Sequence, residues 1–73
     1  MRKYLVDLRT KRNESQQDVA EALGISRQYY QMIESGDRQK KMDILLVAGI
    51  AGHFSLPIQQ IVQLEDNYRL GAS

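Results

Sequence analysis

Apolar residues recur along the chain at helical spacing, and no stretch alternates with the period of two that marks a half-buried strand. Tyr4, Leu5 and Leu8 fall at i, i+1 and i+4, which predicts a first helix over residues 2–12. Arg2, Lys3, Arg9 and Arg12 lie off that face, and Asn13 reads as the stop. Val19, Ala20 and Leu23 repeat the spacing in a second helix that opens at Ser15. The Ser15 hydroxyl can accept an orphan N–H, and Asp18 three residues on completes a capping-box pattern. Leu23-Gly24-Ile25-Ser26 then reads as a tight turn, with Gly24 supplying a positive φ. Ser26 caps a third helix whose buried side is Tyr30 and Ile33 and whose other side carries Arg27, Gln28, Gln31 and Met32. Gly36 ends it.

Residues 37–42 read as a basic loop. Asp43 suits the start of a fourth helix, where a negative charge favours the helix dipole, and this helix runs to about His53. Leu45, Leu46, Val47, Ile50 and Ala51 make it apolar nearly all round, as expected of a central helix. Gly49 and Gly52 inside it cost about 1 kcal/mol each against Ala, so close packing against a neighbour is the expected reason for both. Pro57 fits the first turn of a fifth helix with Ile58, Ile61 and Val62 on one apolar face. Leu64, Tyr68 and Leu70 continue that series, and residues 71–73 are expected to fray. The prediction is an all-α, compact five-helix domain over residues 1–70. Helices 2 and 3, joined so closely, must cross steeply, and small Ala20 lets them approach. That is helix-turn-helix geometry, with the second helix showing its N-terminal end and a polar face outward.

Residues 15–36 resemble the DNA-binding unit of the phage-repressor and Cro-type family, the lambda repressor-like domain. The signs are Ser15-Gln16, Ala20, Gly24, Ser26, and Ile33-Glu34 followed by Gly36. A looser likeness extends to about residue 62, through Leu5, Leu8, Arg9 and the stretch from Phe54 to Val62. The chain departs from the family pattern at Glu14, where an apolar residue is usual, and at Tyr30, where Ile or Val is usual and a repacked core is implied. Asp37–Ile44 is longer by a residue or two, and Pro57 replaces a capping Ser or Thr.

The resemblance implies sequence-specific binding of double-stranded DNA and regulation of transcription, as a repressor of phage or mobile-element type. The major groove is about 12 Å wide and admits one helix. Gln28 is the leading base-contact candidate, since Gln pairs bidentately with adenine, and Arg27 can pair with guanine. Gln31 and Met32, one turn on, are further base candidates. Gln16 stands where the family places a Gln on phosphate, at a helix start that itself favours an anion. Gln17, Tyr29, Arg38, Lys40 and Lys41 are the other candidates for the DNA backbone, with Arg9 weaker. So small a module contacts few base pairs. A homodimer on a near-palindromic operator is therefore expected, with half-sites about 34 Å apart. Its surface is expected on helix 5 and the tail, through Ile61, Leu64 and Tyr68.

Net charge is only +1, but its distribution is uneven. Residues 1–13 carry Arg2, Lys3, Arg9, Lys11 and Arg12 against Asp7. Residues 36–41 carry Arg38, Lys40 and Lys41 against Asp37. Residues 14–35 and 42–73 are acidic on balance, so basic segments flank the reading helix, as phosphate contact requires. Seventy-three residues make one small, marginal domain. With no Cys there is no disulfide or thiolate metal site, and lone His53 is expected at a surface or helix end. No signal peptide is evident, Ile44 to Gly52 is too short to span a bilayer, and a cytoplasmic setting is expected. No cofactor or small-molecule substrate is implied, and no nucleophile–base set or paired-carboxylate site suggests an enzyme. The alternative from another class is a protein-interaction module, or an antitoxin, on the same fold. The acidic balance of helices 2 and 3 gives this alternative some weight.

Overall fold

A computed structural model describes residues 1–36 and 43–71 of the chain. Among the described residues there are five helices and no strand: α1 (Lys3–Lys11), α2 (Gln16–Leu23), α3 (Arg27–Ser35), α4 (Ile44–His53) and α5 (Ile58–Arg69). Three of these starts, those of α2, α3 and α4, carry a side-chain cap. Ser15 Oγ accepts from the Asp18 N–H at 3.1 Å while the Ser15 N–H donates to Asp18 Oδ2 at 2.9 Å, the expected reciprocal box. Ser26 Oγ accepts from the Tyr29 N–H at 3.1 Å, and Asp43 Oδ1 from the Leu46 N–H at 2.8 Å. Pro57 precedes α5 at its cap position rather than inside its first turn. Asn13, which ends the α1–α2 turn, takes a left-handed φ of 56°, a conformation that Asn tolerates better than most side chains.

The α2–α3 turn is a two-bond stop. Gly24 adopts φ 72°, its N–H donates to Glu21 O, and the Ile25 N–H donates to Ala20 O at 3.0 Å. Apolar side chains from all five helices then close one core: Leu5, Val19, Ala20, Tyr30, Ile33, Val47, Ile50, Ala51, Phe54 and Ile61. Tyr30 is wholly buried, as expected for the repacked position.

Several expectations are corrected. Arg2, read as lying off the core face, is fully buried. Its Nε and Nη2 donate to Glu65 at 2.8–3.2 Å, its Nη1 donates to Ile33 O at 2.6 Å, and its guanidinium stands 4.8 Å over the Tyr68 ring. The inward side of α5 is therefore Ile61, Leu64, Glu65 and Tyr68, spaced to share one helical face. Ile58 and Val62 are exposed. Ile61, Leu64 and Tyr68 are consequently not an exposed dimer surface: Ile61 is in the core, Leu64 packs on it, and Tyr68 is half-buried under Arg2. The fourth helix is not covered all round, since Ile44 and Leu45 at its start are 66% and 81% exposed. Gly49 does meet a neighbour, with Leu23 Cδ2 3.3 Å from where a Cβ would lie, but Gly52 has open space there. The basic loop at 37–42, its extra length and residues 72–73 of the tail lie outside the described residues.

Candidate nucleic-acid interface

Along α3 the side chains divide by helical phase. Tyr30, Ile33 and Glu34 are buried, and Arg27, Gln28 and Gln31 are exposed. The first two stand in the opening turn, immediately after the Ser26 cap, and Gln31 follows one turn later. Met32 is half-buried, between the two faces. Tyr29 is also half-buried and borders a shallow cleft of about 230 Å³ with Leu23, Ile25 and Leu46.

Gln16 is the first residue of α2 and is half-buried. Its amide nitrogen donates to Glu34 Oε1 at 3.0 Å, so the start of α2 touches the inner side of α3. Gln16 and Gln31 border one cleft of about 160 Å³ together with Met1, Glu34 and Ser35. Gln17 is exposed, and its amide donates to Glu21 one turn ahead at 3.2 Å. The structure thus brings Arg27, Gln28 and Gln31 to one outward face and Gln16 to its edge. Arg38, Lys40 and Lys41 lie outside the described residues.

Charge is distributed differently from the sequence expectation. Arg9 Nε and Nη2 donate to the Glu34 carboxylate at 2.9 and 3.1 Å, and its Nη1 donates to Glu14 O at 3.0 Å. Arg2 and Arg9 are therefore internal cations whose charge is answered by Glu65 and Glu34. Burial works against ionising Glu34, but the hydrogen bonds from Arg9 and Gln16 together outweigh it and hold the carboxyl below the ordinary range. Glu65 is held low in the same way by Arg2 and by the Tyr4 hydroxyl, which donates to it at 2.6 Å. Glu14, where an apolar residue was the family pattern, is met by His53 Nε2 at 3.0 Å and Arg12 Nε at 3.6 Å, and His53 is the last residue of α4, a helix end as expected. Sequence reasoning missed Glu34 as the link between α2 and α3. The signal was its position at i+4 from buried Tyr30, which places a carboxylate on the inward face.

A family model described as helix-turn-helix, of the Cro and repressor type, matches residues 5–47, more than half of the chain. No curated protein and no solved structure matches it. The matched segment runs from Leu5 in α1 to Val47 in α4 and contains both helices of the pair and the Gly24 turn between them. On sequence and fold together, the chain belongs to the Cro/repressor-like helix-turn-helix family, a family of DNA-binding transcriptional regulators.

Proposed function

We propose that this chain is a repressor that binds a near-palindromic operator as a homodimer. α3 lies in the major groove. Gln28 and Arg27 contact base edges, with Gln31 and Met32 one turn behind, and a groove-bound operator across a promoter excludes polymerase. Gln16, Gln17 and Tyr29 hold the backbone, together with Arg38, Lys40 and Lys41 of the segment that follows α3. The observation that carries this reading is the outer face of α3, where Arg27, Gln28 and Gln31 are all exposed beside a helix start capped by Ser26. The reading places the protein in the cytoplasm, with the DNA.

Salt dependence tests it. Binding to a duplex should weaken with log K falling by about 0.9 per decade of salt for each phosphate neutralised. Substituting Lys40 or Lys41 by Ala should reduce that slope by about one step per protomer, whereas Gln28→Ala should leave it unchanged. A salt-independent association, or none with any duplex at low salt, would favour a protein-docking role. The exposed Ile44 and Leu45 and the internal pairing of Arg2 and Arg9 are the observations that keep this second reading in view.

A further inference from the structure

Glu34 ties α3 to both α1 and α2. It is 4% exposed. Its Oε1 accepts from Gln16 Nε2 at 3.0 Å and Arg9 Nη2 at 3.1 Å, and its Oε2 accepts from Arg9 Nε at 2.9 Å. Through Arg9 Nη1 the same network reaches Glu14 O, the carbonyl just before the Ser15 cap of α2. One carboxylate on the reading helix therefore fixes both the first side chain of α2 and the turn that leads into it.

An ionised carboxylate only accepts hydrogen bonds. Gln16 must then turn its amide nitrogen, not its carbonyl, toward Glu34, and the second N–H of that nitrogen remains for another acceptor. Gln31 lies on the same cleft as Gln16 and Glu34. We propose that Glu34 is a positioning residue: it holds the Gln16 amide in register with the outer face of α3, so that a backbone contact from α2 and base contacts from α3 meet DNA as one rigid unit. The inference rests on the DNA-binding reading above and deepens it. A side chain already held loses little freedom on binding, whereas immobilising a free, rotamer-rich one lowers affinity by about two- to tenfold.

The test is a double-mutant cycle on a duplex the wild-type protein binds. Gln16→Ala is measured in the wild-type background and in one carrying Arg9→Met with Glu34→Leu. That pair of changes removes both charges and leaves no lone ion. In the wild-type background Gln16→Ala should weaken binding about tenfold, as loss of a charge-assisted hydrogen bond does. Without Glu34 the same change should weaken it less than about threefold, because an unheld Gln16 contributes less. Equal ratios in the two backgrounds, including no effect in either, would overturn the proposal. Should that double background not fold, Arg9→Leu with Glu34→Met replaces it, which likewise leaves no polar group from position 34 beside Gln16 and no lone ion. A second readout needs no DNA. The side-chain amide protons of Gln16 should be spread apart in the wild-type NMR spectrum and collapse toward those of exposed Gln28 and Gln59 in the variant; unchanged resonances would also overturn the proposal. Failure of the wild-type protein to bind any duplex would instead remove the functional reading on which it rests.

Discussion

Two carboxylates, Glu34 and Glu65, sit on inward faces of their helices; Glu34 is answered by Arg9 of α1 and Glu65 by Arg2, the residue just before that helix. A buried ion pair adds little net stability, but removing one partner leaves the other charge stranded in a medium that solvates it poorly. Arg2 is fully buried, so Glu65→Leu should destabilise the fold by about 3–5 kcal/mol in urea titrations. Adding Arg2→Met should restore much of that loss, and the residue would come from Ile33 O and the Tyr4 hydroxyl, which lose their partners. Equal instability in the single and double variants would mean that the pair matters by shape rather than charge. Neither pair was legible in the sequence. Arg2 lies just outside the apolar repeat of α1. Glu65 shares the helical spacing of Ile61 and Tyr68, which puts it on the core side of α5, but a charge in that series gives no sign of the partner it meets. Pattern reading assigns charged residues to solvent. It fails where a second charge, distant in sequence, waits on the facing helix.

At the level of elements, the helix starts and stops were the most readable part of the chain. Ser15 with Asp18, Ser26, Asp43, Gly24 and Gly36 all act where their chemistry predicts, because caps are local and need no knowledge of the tertiary fold. Ser26→Ala should therefore destabilise the protein by about 1 kcal/mol in thermal or urea unfolding. The glycines differ instructively. At Gly24, with φ 72° and open space around a notional Cβ, Ala should cost about 1–2 kcal/mol from backbone strain alone. At Gly36, φ is 78° and a Cβ would collide with the Tyr68 hydroxyl, so Ala should cost more. A smaller loss at Gly36 than at Gly24 would show that Tyr68 swings away freely. Helix phase was less legible than helix existence. In α5 the apolar set Ile58, Ile61 and Val62 suggested one face, yet only Ile61 is in the core, since Glu65 and Tyr68 draw the helix round toward Arg2.

For the whole molecule, the ionic links set a pH window. The folded carboxyls of Glu34 and Glu65 titrate below their unfolded range, so their stabilisation is present above that range and is lost as pH falls through the depressed values. Burial and the neighbouring Glu65 raise the Tyr4 phenol, and burial and Glu34 raise Tyr30. Their stabilisation is present below the ordinary tyrosine value of about 10 and is lost as pH rises beyond it. Melting temperature should thus hold a plateau from about pH 5 to about pH 10 and fall on both sides. A Glu34→Gln protein whose acid limb is unchanged would argue against the assignment. Among the described residues no single helix is long and apolar enough to cross a membrane. The outward face of α3 was legible from the start because the helix-turn-helix spacing fixes which residues of the second helix point out. What it reads is a matter of function.

The most direct measurement is a selection from random duplex DNA, run in parallel with the wild-type protein and Gln28→Ala. An enriched inverted repeat, with one base position per half-site relaxed by the substitution, is the predicted result. Recovery of no motif at low salt, or of one that Gln28→Ala leaves untouched, would contradict the role assigned to α3.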